Sequence, residues 1–307
     1  MRPAATLTAF AAGLTAVFAV ALGLGSAVGP VVVDKPASQH VADTDDAHAD
    51  DVEATHNEDA AHEADGATTL PGLSVADAGW ALHLASDTAS PDDAVPFRFT
   101  VTAPDGNPET DYVRTHTKEL HLIVVRRDLS SFQHVHPVRA ADGSWSVPLD
   151  LPAGGSYRVF ADFRPAGLDR TLTLGADLSV PGAFAPQALP VANRTTTTGE
   201  YDVTLAGTPV AGRESDLVMS VSRDGAPVND LQPYLGAYGH LVALRAGDLA
   251  FLHTHPAGPI EPSEPGGPDI EFGTTFPTAG SYRLFLDFRV DGVVRTAAFT
   301  VEVGEAP

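Results

Sequence analysis

The chain carries one sequence twice. Residues 80–180 and 199–305 align with an offset of 119, and the landmarks of both stretches fall in one order. Asp105-Gly106 and Asp224-Gly225 each lie 16 residues ahead of a histidine, His121 and His240. The arrangement His121-x12-His134-x-His136-Pro137 returns as His240-x12-His253-x-His255-Pro256, with Phe132 and Phe251 at equivalent places. The second copy has six extra residues after its proline. Alignment then resumes, and Ser156-Tyr157-Arg158-Val159-Phe160-Ala161-Asp162-Phe163-Arg164 matches Ser281-Tyr282-Arg283-Leu284-Phe285-Leu286-Asp287-Phe288-Arg289. Such a duplication fixes the fold as two similar units in tandem, each the size of a small domain.

Within a copy the pattern is that of short strands. In the first, residues 78–86, 95–103, 117–126, 131–137, 143–150, 155–164 and 171–180 read as strands parted by Gly, Pro and Asp clusters, without a helical period. Seven strands per copy predict an all-β fold of two tandem immunoglobulin-like β-sandwiches. Pro152-Ala-Gly-Gly-Ser-Tyr157 and Pro277-Thr-Ala-Gly-Ser-Tyr282 place a tyrosine at the start of the penultimate strand, where such sandwiches keep their tyrosine corner. Val159 and Leu284 stand where the inward cysteine usually falls. The expected boundaries are 70–183 and 199–307 for the sandwiches, with a linker at 184–198.

Composition narrows the chemistry. There is no cysteine, which removes disulfides, thiolate metal sites and cysteine nucleophiles, and with only Met1 and Met219 a Met-rich Cu(I) site is excluded too. A net charge of -22 argues against nucleic acid as a partner. Ahead of the repeats, Ala4–Val33 is uncharged and follows Arg2. This run reads as a signal anchor or as a signal peptide cleaved near Gly25-Ser26-Ala27, so membrane contact comes through the N-terminal helix and the rest is extracytoplasmic. Residues 34–69 hold eleven acids, one lysine and His40, His48, His56 and His62. They predict a disordered acidic tether, a spacer that also collects cations weakly.

The repeated histidines carry the functional expectation. Residues i and i+2 of a strand share a face, so His134 pairs with His136 and His253 with His255. A hairpin turning at 127–130 makes paired residue numbers sum to 257, which sets His121 opposite His136 and Ile123 opposite His134. In the second copy the sum is 495, the turn lies at 246–249, and His240 faces His255. Opposed Cβ atoms lie about 5 Å apart and diagonal ones about 7 Å, close enough for three imidazoles to meet one ion. Pro137 and Pro256 mark the short strand as a sheet edge where a metal enters. Asp162, on the strand next to His121, is expected as a fourth ligand or as the group orienting a ligand imidazole, with an ion pair to Arg158 or Arg164 as the alternative. Asp287 carries the same expectation. Asp128 and Asp248 read as loop caps. His83 and His116 have no counterparts (Asp202 and Leu235 hold those places) and read as surface residues. Nitrogen and oxygen donors without sulfur suit Cu(II) or Zn(II).

Thr117-Lys-Glu-Leu-His-Leu-Ile-Val-Val with Phe132-Gln-His-Val-His-Pro137, and Tyr234-Leu-Gly-Ala-Tyr-Gly-His-Leu-Val with Phe251-Leu-His-Thr-His-Pro256, give the chain a family likeness. It resembles bacterial secreted or membrane-anchored tandem immunoglobulin-like proteins labelled heavy-metal-binding or copper-resistance-associated. That resemblance implies metal handling in the cell envelope. The leading expectation is therefore a non-enzymatic metal-binding protein with one three-histidine site per copy, for buffering, delivery or resistance. The alternative is a metal-independent adhesion or interaction module with an envelope protein partner. A metal-dependent enzyme is a third reading, because three histidines with an open position is also a catalytic zinc layout.

Overall fold

The computed structural model describes residues 70–256 and 266–306, and for His253, His255 and Pro256 the backbone only. The N-terminal apolar run and the acidic tether lie outside the described residues. Among the described residues no helix is long and apolar enough to cross a membrane.

The first copy contributes β1 (Trp80–Leu84), β2 (Asp92–Thr102), β3 (Leu120–Arg126), β4 (Gln133–Val135), β5 (Ser144–Leu151), β6 (Gly155–Pro165) and β7 (Leu172–Val180). They form two layers, β1-β2-β5 and β7-β6-β3-β4. The second contributes β8 (Tyr201–Ala206), β9 (Glu214–Arg223), β10 (Gly239–Arg245), β11 (Phe251–Pro256), β12 (Asp269–Thr275), β13 (Gly280–Val290) and β14 (Val293–Val303). Its layers, β8-β9-β12 and β14-β13-β10-β11, repeat that order. The chain is all-β, two tandem immunoglobulin-like sandwiches. Both tyrosine corners form, with the Tyr157 hydroxyl donating to the Ala153 carbonyl at 2.9 Å and Tyr282 to Thr278 at 3.0 Å.

The hairpin registers are those the spacing predicts. Leu122 pairs Val135, Ile123 pairs His134 and Val124 pairs Gln133 between β3 and β4. Between β10 and β11, Leu241 pairs Thr254 and Val242 pairs His253. Three features depart from expectation. Thr195–Thr198, inside the stretch expected as a linker, is a strand paired to β8. The strand ending at Pro256 is no edge: β11 pairs β12 as well as β10, joining both layers of the second copy. The third departure is the surroundings of β3, β6, β10 and β13.

In a free-standing sandwich one face of these strands meets the core and the other meets water. Here Tyr157, Val159, Ala161 and Phe163 of β6 face the first core, and Phe160 enters a different cluster. That cluster gathers Ile123, Val125 and Phe160 from the first copy with Val242, Leu244, Phe251 and Phe285 from the second. The Phe132 and Phe285 rings stack at 3.9 Å, and Phe160 meets Phe251 at 5.3 Å, so equivalent residues trade places across the contact. The two sandwiches therefore pack face to face, with a third apolar cluster between them. All seven residues of β3 are buried for this reason. Its unbroken run Leu-His-Leu-Ile-Val-Val is the pattern of a strand covered on both faces.

Candidate metal centre

The histidines of the first copy meet at the edge of this contact. β3 and β4 carry His121 and His134 onto one face by register alone. His136 follows β4 and turns the same way. The His121 Nδ1 lies 3.0 Å from His134 Nε2 and 3.1 Å from His136 Nε2. Among the described residues, these three offer nitrogens all within 4.8 Å of one another. An ion bound at about 2.0–2.1 Å from each nitrogen spans the 3.0 and 3.1 Å separations of His121 from His134 and His136.

Outer contacts fix where the lone pairs point. The His121 Nε2 lies 3.1 Å from the Thr115 carbonyl, and a nitrogen facing a carbonyl must be the N–H. The His134 Nδ1 lies 2.9 Å from an Asp287 carboxylate oxygen and donates to it. With those nitrogens as the N–H groups, each ring turns its other nitrogen toward its neighbour. Two lone pairs at that separation repel unless a cation lies between them. Burial, then the charges His134 and His121 would bear, push His136 down to about 2, so that this third ring keeps its own lone pair. The His134 and Asp287 side chains are only 1% and 5% exposed. A divalent ion satisfies the converging nitrogens, and the Asp287–His134 contact is the carboxylate–imidazole support typical of metal-bound histidine.

Asp287 sits in the second copy. It lies opposite His240 on the neighbouring strand, as the sequence implies, but its carboxylate reaches the first copy's histidine while Thr296 holds its other oxygen at 2.6 Å. The expected within-copy partnership is thus exchanged across the contact. Asp162 likewise lies opposite His121 and accepts from Thr173 at 2.7 Å. The arginines offered as its alternative partners are engaged elsewhere, Arg158 with Asp177 and Gly72, and Arg164 with Asp169.

His240 repeats His121. Its Nε2 faces the Tyr234 carbonyl at 2.9 Å, six residues back, as His121 faces Thr115. His253 and His255 have backbone in β11 but side chains outside the described residues. Asp128 and Asp248 cap their turns, accepting from the backbone amides of Ser130 and Ala250. His83 is exposed, as expected. His116 is not a surface residue: it is half-buried, its ring 6.0 Å from His121 and 5.1 Å from His240. No repeat partner singles it out, and the nearer of these two rings, His240, comes from the other copy.

Fold and site together define a tandem immunoglobulin-like protein with a histidine cluster buried where its repeats meet. The chain belongs to the family described as Domain of unknown function (DUF8832), which matches it twice, over residues 74–179 and 195–305. That description names no metal. No curated protein matches the chain. Among solved structures, the Escherichia coli adhesin FdeC is 17% identical over 75% of this chain, with a TM-score of 0.25, and the chain spans 64% of the FdeC chain. Yersinia pseudotuberculosis InvD is 12% identical over 74% of this chain and 58% of its own, at 0.22. Fibronectin(III)-like modules of Clostridium thermocellum CbhA are 11% identical over 73% and 95%, at 0.19. At such scores the likenesses carry no argument about what this chain binds.

Proposed function

We propose that this chain is a non-enzymatic binding protein held outside the cytoplasmic membrane, whose paired sandwiches take Cu(II) or Zn(II) at the His121–His134–His136 cluster for buffering or delivery. The observation that carries the reading is the convergence of three ring nitrogens, two of them with the opposite nitrogen engaged by a carbonyl or a carboxylate. By the duplicated spacing, a second set at His240, His253 and His255 serves the second copy, with Asp162 and Asp287 orienting imidazoles rather than binding the ion. Cu(II) leads in intrinsic affinity for nitrogen donors, with Zn(II) behind. The extracytoplasmic setting rests on the uncharged Ala4–Val33 run behind Arg2.

A metal-independent interaction module is the second reading. It is favoured by the apolar cluster between the sandwiches, which makes them one block without any ion, and by Phe184 and Val191, 76% and 87% exposed on the connecting segment. Isothermal titration of the full chain with Cu(II) and Zn(II) separates the two. A tight site lost in His134→Ala, with the weak tether sites remaining, supports metal handling. Binding no tighter than that of a 34–69 peptide, alongside partner capture that survives chelator, supports the module.

A further inference from the structure

The turn preceding each first histidine differs between the copies in a way the trio does not use. Both are two-residue turns closed by reciprocal backbone bonds, Thr115 with Lys118 at 2.9 and 3.0 Å and Tyr234 with Ala237 at 2.8 and 3.1 Å. Both central residues are left-handed: His116 at φ 48° and Thr117 at φ 67°, against Leu235 at 53° and Gly236 at 80°. Turns of this kind suit Asn-Gly, and the second copy supplies the glycine. The first copy instead holds a β-branched threonine and an imidazole in that strained conformation.

The His116 ring lies in the contact between the sandwiches. Its centroid lies 5.1 Å from that of His240, at an interplanar angle of 84°. Within the trio the centroids are 5.3, 4.9 and 5.0 Å apart. Two imidazoles sharing a tetrahedral ion through nitrogens at about 2.0–2.1 Å stand with centroids about 5 Å apart. His116 and His240 are therefore spaced as ligands of one ion, across the contact. The longer separations of 6.0 Å from His116 to His121 and 6.3 Å from His134 to His240 mark that pair as a neighbour of the trio. The His240 Nε2 faces the Tyr234 carbonyl, which leaves Nδ1 as its lone-pair nitrogen, the tautomer of His121. At the position equivalent to His116 the second copy has Leu235, so no imidazole is returned to the trio.

We propose that His116 is a metal ligand supplied by the first sandwich to a second cation held at His240, so that the protein carries two cations side by side with unequal ligand sets. This deepens the metal reading above and rests on it. Traffic across the contact then runs both ways: Asp287 supports the first site and His116 completes the second.

Cu(II) titration of the full chain, followed by calorimetry and electron paramagnetic resonance, tests it. The wild type is expected to take two tight equivalents and to show the dipolar half-field signal of neighbouring Cu(II) ions. His116→Asn, tolerated at left-handed φ, should keep one tight equivalent, weaken the other on the order of 10–100-fold and abolish the dipolar signal. His116→Gly, relaxed at that φ, repeats the measurement if the asparagine variant misfolds. Two equivalents with unchanged affinity in both variants overturn the proposal. So does a wild type taking a single tight equivalent, which leaves the trio reading intact. A wild type with no tight equivalent overturns both.

Discussion

The two copies share registers, tyrosine corners and first histidines, yet they secure the strand carrying the second and third histidines differently. In the first copy β4 has three residues and ends its sheet, and it is tied to the other layer by a side chain. Gln133 donates to the Asp150 carbonyl at 2.6 Å and accepts from its amide at 2.8 Å. In the second copy Leu252 replaces that glutamine, β11 has six residues, and a backbone ladder joins it to β12. The copies also differ at the preceding turn, His116-Thr117 against Leu235-Gly236. A duplicated scaffold thus fixes where histidines start, while a few divergent positions set how firmly each ribbon is held and which copy lends residues to the other.

The largest expected effect tests the exchange symmetry of the contact. Phe285→Ala removes the ring stacked on Phe132, and Phe160→Ala removes its equivalent against Phe251. Each should cost about 3–5 kcal/mol in urea unfolding. A large cost at one and none at the other would show that the contact is one-sided. Next, Asp287→Asn should weaken Cu(II) or Zn(II) at the trio about 10–100-fold by calorimetry, while Asp162→Asn leaves that site nearly unchanged. The reverse ranking would return each carboxylate to its own copy.

A smaller effect concerns pH in the metal-free chain. His136 is held neutral when folded, with its value lowered from 6.5 to about 2, so the unfolded chain binds the extra proton first. Its contribution is complete above pH 6.5 and is lost as the pH falls from there toward the folded value. The slope is at most about 1.4 kcal/mol per pH unit, less where water screens the ring. His136→Gln should flatten the stability curve between pH 7.5 and 5; an unchanged slope would assign the loss to other groups. The smallest effect is at the turn. Thr117→Gly, copying the second sandwich, should add about 0.5–1 kcal/mol by relieving left-handed strain, read as a rise of a few degrees in Tm. No rise would mean that Thr117 is held by contacts its copy-two counterpart lacks.

Much of the fold was legible because duplication and period-two patterning are local signals. The sums of 257 and 495 follow from where the turns sit, and turn position is written in Asp128-Leu-Ser-Ser and Gly247-Asp248. What was hidden involves pairs far apart in sequence. His134 and Asp287 are 153 residues apart. His116 was set aside because it has no repeat partner, though a residue lying between two copies need not be duplicated. One clue was present: the apolar runs at Leu120–Val125 and Leu241–Leu244 lack the alternation of a half-exposed strand.

By itself the sequence determined two immunoglobulin-like sandwiches and the ribbon that brings His121, His134 and His136 to one face, because backbone pleat and turn placement are set over a few residues. Only the tertiary structure decided that the histidine-bearing faces meet, that Asp287 of one copy supports His134 of the other, and that His116 approaches His240. Those outcomes depend on burying Phe132, Phe160, Phe251 and Phe285 together, and the hydrophobic effect that drives such burial has no direction and no sequence address.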